Sequence, residues 1–157
     1  MNFLLGYLFY QKKDFNRAQV FLDAATNLNP NDVQALTLMG RVGLQQENYG
    51  SAAAMLERAV AADSDYWVAH DLLANAYLRQ EKYQKAGDEA RVAMEKGKGA
   101  SGSAQLVLGQ ALVNLGKRQE GIQELNNFLQ RSPKNPAVPQ VQQSDCRARR
   151  TQDGCGQ

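Results

Sequence analysis

Residues 36–59 read LTLMGRVGLQQENYGSAAAMLERA, and this stretch decides the fold because its punctuation returns at a fixed distance on either side. Ala52 lies thirty-four residues after Ala18 and thirty-four before Ala86. Tyr49 has Phe15 and Tyr83 at the same distances, and Gly40 has Gly6 and Ala74. A fixed period of this size is what a solenoid writes into its sequence, since one supersecondary unit cannot bury its apolar face until a copy stacks on it.

Each period divides into two helical segments. Leu5, Leu8 and Phe9 lie on one face, Lys12-Lys13-Asp14 interrupts the pattern, and Phe15, Ala18, Leu22 and Ala25 resume it at spacings of three and four. Asp14 and Asn48 stand where a side-chain acceptor caps the second helix, whereas Lys82 and Lys117, in the matching places, cannot accept a hydrogen bond. Those two helix starts are expected to be weaker. Between periods the punctuation is Asn29-Pro30-Asn31-Asp32, then Asp63-Ser64-Asp65, then Lys96-Gly97-Lys98-Gly99, then Ser132-Pro133; each is expected to close one helix and prepare the next. The predicted helices run near 3–12, 16–28, 32–46, 50–62, 66–80, 84–96, 102–115 and 119–131. Most are rods of roughly 15–20 Å, too short to be stable without neighbours.

Small side chains let antiparallel rods approach, so Gly6, Gly40 and Ala74 are expected to face Ala18, Ala52 and Ala86, with Phe15, Tyr49 or Tyr83 filling the wedge beside them. Gly43 stands where Tyr77 stands one period later and is read as lost packing. In the fourth period Gly121 and Phe128 are read as a compensating pair, and that period is expected to be the least regular.

The chain has 157 residues, 43% of them apolar and 22% charged, which is enough to bury a core and too polar for a membrane protein. No apolar run approaches the ~18 residues of a bilayer span. Net charge is +2 with one histidine, so no strong field recruits nucleic acid or an acidic membrane. Arg147-Ala-Arg149-Arg150 is a short basic cluster, and the lysines of the third period are interleaved with Glu81, Asp88, Glu89 and Glu95; no nucleic-acid partner is expected. Cys146 and Cys155 both lie near the end, so the body has neither a disulfide framework nor a zinc site, and the compartment stays open. The apolar opening, Phe3 to Tyr10, has no basic leader or cleavage site and carries the first register, so it is read as a structural helix.

The small residues after Leu5, Met39, Leu73 and Leu108, the later Ala18, Ala52, Ala86 and Gly121, the Ala25, Ala59 and Ala93 register, and the closing Pro30 and Pro133 resemble the tetratricopeptide repeats over about 130 residues. Sel1-type repeats fit less well, because two consecutive intervals are thirty-four and the last is thirty-five. The resemblance implies an all-α fold, a right-handed solenoid of stacked antiparallel helix pairs at about 1–31, 32–65, 66–100 and 101–135, followed by an irregular, disordered tail over 136–157. It also implies a concave groove lined by Thr37, Arg41 and Gln45, by Asp71, Asn75 and Arg79, and by Gln110 and Asn114. The lysines, arginine and asparagines with which some relatives grip carboxylate-ended chaperone tails are here Phe3, Tyr7, Leu38, Val68 and Leu72, which cannot do so.

Catalysis finds no footing. His70-Asp71 are adjacent helical residues pointing roughly 100° apart, not oriented as a relay, and no activated nucleophile or phosphate loop is present. His70 is read as a hairpin packing residue and Trp67 as part of the junction between the second and third repeats. No cofactor or metal is expected. The expected function is a non-catalytic scaffold that binds a peptide or helix of a protein partner in the groove; the alternative is a spacer or self-association domain of a larger regulatory or export-machinery subunit. No membrane insertion is expected. Phe3, Leu4, Tyr7 and Tyr10 lack an upstream cover and 144–157 has no large apolar residue, so the chain is also read as a piece of a longer array or as carrying a foreign end. On the first reading the Phe3-Tyr7-Tyr10 surface is an internal repeat junction, and in isolation it can drive self-association.

Overall fold

Residues 1–131 are described by the computed structural model. Among them the order is α1 (Asn2–Gln11), α2 (Phe15–Leu28), α3 (Val33–Gln45), α4 (Tyr49–Ala62), α5 (Trp67–Arg79), α6 (Tyr83–Lys96), α7 (Gly102–Asn114) and α8 (Arg118–Arg131), with no strand. Each helix ends within one residue of its predicted span. The expected tail, Ser132-Pro133 and both cysteines lie outside the described residues.

Local chemistry sets these boundaries. The Asp14 carboxylate accepts the Arg17 N–H at 3.2 Å, the Asn48 amide oxygen accepts the Ser51 N–H at 3.4 Å, and Lys82 supplies no cap. Asp32 caps α3, accepting from the N–H groups of Gln34 and Ala35 at 3.1 and 3.0 Å. Asp63 closes α4 as expected, but the capping of α5 from Asp63-Ser64-Asp65 is corrected: α5 starts after Tyr66 without a side-chain cap, because Asp63 turns to the Asp65 N–H at 2.9 Å and Asp65 reaches Lys96 at 2.5 Å. Before α7 the cap is Ser101, whose hydroxyl accepts from the Ala104 N–H at 3.1 Å.

The elbow inside every hairpin is built alike. Lys13, Glu47, Glu81 and Gly116 occupy matching positions with φ of 59°, 59°, 60° and 82°. The next N–H then reaches back across the helix end: Asp14 to Phe9, Asn48 to Gly43, Lys82 to Tyr77 and Lys117 to Leu112, at 2.9, 2.8, 2.9 and 2.9 Å. This is a Schellman closure, and in three of the four elbows a non-glycine residue holds the left-handed conformation that glycine adopts freely.

Packing confirms close approach but assigns the partners differently. Ala18, Ala52 and Ala86 are completely buried. Yet a methyl built on Gly6 would meet Leu22 at 2.7 Å, on Gly109 would meet Leu125 at 2.7 Å, and on Gly40 would overlap Leu56. The glycines of first helices therefore make room for a leucine one turn beyond the expected alanine. The third hairpin has Ala74 and Ala90 in the two places, both completely buried. Ala52 instead meets Gly43, where an added methyl would lie 3.0 Å from its Cβ and 3.1 Å from its backbone. Gly43 thus lets the backbone of α4 approach at Ala52 and is not lost packing.

The reading of hairpin four is corrected as well. The space beside Gly121 is taken by Val113 and by the Gly109 carbonyl, while the buried Phe128 ring faces Gly102 at the start of α7. Helices α7 and α8 have 13 and 14 residues, as do α3 and α4. The additional residue of the last interval falls in the link 97–101, so the fourth hairpin is as regular as the second. Trp67 packs on Gly97, where a methyl would stand 3.2 Å from its ring, and so helps close its own hairpin.

Candidate functional site

The first helices α1, α3, α5 and α7 lie side by side, each touching the next, and form one wall of the solenoid. Along that wall the matching registers are Phe3, Thr37, Asp71 and Leu106, then Tyr7, Arg41, Asn75 and Gln110, then Gln11, Gln45, Arg79 and Asn114.

Asn75, Arg79, Gln110 and Asn114 come together in one cleft of about 550 Å³ between α5 and α7, whose floor includes Leu106 and Val107. Asn114 donates its amide to the Gln110 carbonyl at 2.8 Å, and the Arg79 guanidinium lies 6.0 Å from the centre of the Tyr49 ring. Amides and a guanidinium above an apolar floor present several donors and acceptors to an extended backbone.

Thr37 and Arg41 line a second, smaller pocket of about 140 Å³ between α1 and α3, together with Phe3, Tyr7, Leu38 and Tyr66. Thr37 is buried, and its hydroxyl donates to the Val33 carbonyl at 2.6 Å, so it forms wall rather than contact point. Gln45 joins neither space; it borders a hollow of about 220 Å³ beside the first elbow, with Tyr10 and Lys13. Asp71 sits between the two groove spaces, accepting the Ser103 hydroxyl at 2.5 Å on one oxygen while the other, Oδ1, is buried without a hydrogen-bond partner. Burial pushes its carboxyl above the ordinary 3.8, against the pull of Ser103, Ser101 and Arg41.

The first-repeat members of this wall, Phe3 and Tyr7, were legible as groove positions from the period alone, one step before Thr37 and Arg41. Both line the pocket shared with α3, while Tyr7 also keeps part of its ring exposed. The large apolar side chains that α1 exposes are Leu4, Leu8 and Tyr7, at 62%, 54% and 43%. His70 belongs to the hairpin interior, with Nδ1 2.6 Å from Glu89 on α6 and Nε2 3.0 Å from the Ser64 carbonyl. It does not engage Asp71. On the side of α5 toward α4, the Tyr77 hydroxyl donates to Glu57 at 2.5 Å; burial, reinforced by that carboxylate, pushes the phenol upward. Among the described residues no three of His, Cys, Asp and Glu gather as a metal site requires, and no helix is long and apolar enough to cross a membrane.

Four stacked antiparallel helix pairs with small residues at their contacts and a wall of first helices define a tetratricopeptide-repeat solenoid. The family model described as anaphase-promoting complex, cyclosome, subunit 3 matches residues 2–59 and, overlapping, 45–128, and the chain belongs to that tetratricopeptide-type family. The fold is similar to the crystal structure of MamA, with a TM-score of 0.82 and 20% identity over 94% of this chain and 84% of that one. It is also similar to YrrB, described as a tetratricopeptide-repeat protein with an unusual peptide-binding site, with a TM-score of 0.81 and 19% identity over 96% and 75%. A MamA chain from Desulfovibrio magneticus RS-1 aligns with a TM-score of 0.75 and 24% identity over 85% and 76%. No curated protein matches the chain in sequence. Repeat proteins of this type are protein-interaction scaffolds and generally not catalysts.

Proposed function

We propose that the chain is a non-catalytic interaction module that takes an extended peptide or a helix of a protein partner in its groove. The observation that carries this reading is the convergence of Asn75, Arg79, Gln110 and Asn114 on one cleft, with Thr37 and Arg41 on a second pocket of the same wall. The similar solenoid YrrB is described as having a peptide-binding site. A photo-crosslinking residue placed at Gln110 is expected to capture a partner in cells, the same residue at the outward Asp88 to capture none, and Arg41→Ala with Arg79→Ala to abolish the adduct without lowering the thermal midpoint. Equal capture from both positions, or an adduct indifferent to the arginines, removes the groove from the reading.

One observation favours self-association as a second reading. Leu4 and Leu8 on α1, with Val20 and Leu28 on α2 at 65% and 81% exposure, leave apolar surface on the first hairpin. Sedimentation of the intact chain against Leu4→Lys/Leu8→Lys is expected to separate a concentration-dependent dimer from a monomer. A wild-type chain that stays monomeric at every concentration discards this reading.

A further inference from the structure

We propose that the small pocket between α1 and α3 takes one leucine- or methionine-sized side chain of a bound peptide, whose neighbouring residue presents a carboxylate to Arg41. This rests on the groove reading above and specifies the partner's chemistry.

Size comes first. About 140 Å³ is far below the roughly 300 Å³ at which pockets begin to enclose whole small-molecule ligands. The space fits a side chain rather than a metabolite. Its lining is mixed: Phe3, Leu38 and the rings of Tyr7 and Tyr66 supply apolar surface, Gln34, Arg41 and the two tyrosine hydroxyls are polar, and Thr37 already spends its hydrogen on the Val33 carbonyl. The phenylalanine, leucine and tyrosine faces suit a branched or thioether chain, and the polar groups around them are left for the peptide backbone and the charge beside it.

Charge supplies the second element. Arg41 is half-buried in the pocket wall and makes no ion pair or hydrogen bond among the described residues. Asp71 is its electrostatic neighbour, but one Asp71 oxygen is engaged by Ser103 and the other is shielded from solvent. The charge that an incoming chain can reach is therefore the guanidinium, whose fork suits a carboxylate in two parallel hydrogen bonds. That carboxylate can belong to an Asp or Glu side chain or to a peptide's C-terminus.

The test is to pan a random dodecapeptide library against the intact chain, then synthesise the selected sequences as free acids and as C-terminal amides. Selected peptides are expected to pair Asp, Glu or a terminal carboxylate with an adjacent Leu, Met or Ile. Changing that apolar residue to Ala, or Arg41→Gln in the protein, should weaken binding about tenfold or more, as loss of a charge-assisted contact does. Arg41→Glu should turn the selection toward Lys and Arg, and Asp71→Asn should tighten acidic peptides severalfold by removing a competing anion. Loss of binding on amidation assigns the carboxylate to the C-terminus, and retention to a side chain; either supports the pocket. Peptides without the acidic and apolar pair, bound indifferently to Arg41 yet weakened by Gln110→Ala, overturn this inference and leave the groove reading standing. No selected peptide at all overturns both.

Discussion

Hairpins two and three solve one packing problem with different residues. In hairpin two, Gly40 leaves its place empty and Leu56 fills it; in hairpin three, Ala74 and Ala90 each contribute a methyl. Four side-chain carbons from one residue stand in hairpin two where two methyls from two residues stand in hairpin three, so both the volume at the contact and its division differ. The two also differ in polar support: hairpin three carries the His70–Glu89 contact at 2.6 Å and the Tyr77–Glu57 bond at 2.5 Å that reaches back to α4, where hairpin two has Leu36 and Gly43 at the corresponding places.

The sharpest way to break this comparison is to convert one solution into the other. Leu56→Ala alone is expected to cost about 2–5 kcal/mol through the cavity it leaves. Gly40→Ala alone should cost about 1–3 kcal/mol through overlap with Leu56. Together they recreate the Ala74 and Ala90 contact, so urea unfolding should show the double variant at least about 1 kcal/mol less damaged than the sum. Strict additivity would mean the hairpins are not equivalent at this layer. Next in size, Ala52→Leu is expected to cost about 1–3 kcal/mol because Gly43 presses on the same spot; an unchanged midpoint would contradict the close approach.

The helix starts offer a smaller contrast. Asn48→Ala should lower stability by about 1 kcal/mol, and Lys82→Asp should raise it by a similar amount by giving hairpin three the cap that hairpin two has. Thermal melts of the two variants shifting in the same direction would sink that equivalence. Smallest is the effect of Asp71. Its carboxyl lies above the ordinary 3.8, so between that value and the raised one the native state holds a proton that the unfolded chain has released. Stability contributed by this residue therefore rises as pH falls through the raised value and levels off below 3.8. Asp71→Asn should flatten that part of the stability-versus-pH curve; a curve of unchanged slope would show that burial of the charge costs nothing.

Helix positions were legible because capping and turn residues act locally: Asp14, Asp32 and Asn48 each bond an N–H two or three residues onward. Contacts across the hairpin were less so. The period aligns Gly43 with Tyr77, and this alignment conceals that Ala52 presses against Gly43 itself. Likewise Gly121 and Phe128 share a helical face, yet what fills the space beside Gly121 comes from α7, which no spacing within α8 reports. For the groove, Asn75, Arg79, Gln110 and Asn114 followed from register, whereas Thr37 has the right register and a buried hydroxyl, because the neighbouring first hairpin covers it. Tyr66 was invisible to the same logic, since it precedes its helix and reaches the pocket from the link before α5.

The left-handed residues Lys13, Glu47 and Glu81 carry one further implication. Each stands between two helices that interlock closely, as Gly43 against Ala52 does beside Glu47, so the packing around the elbow holds the residue in this conformation. A Glu47→Gly exchange would therefore relieve left-handed strain of about 1 kcal/mol and raise the midpoint of unfolding, without altering one residue that faces the groove.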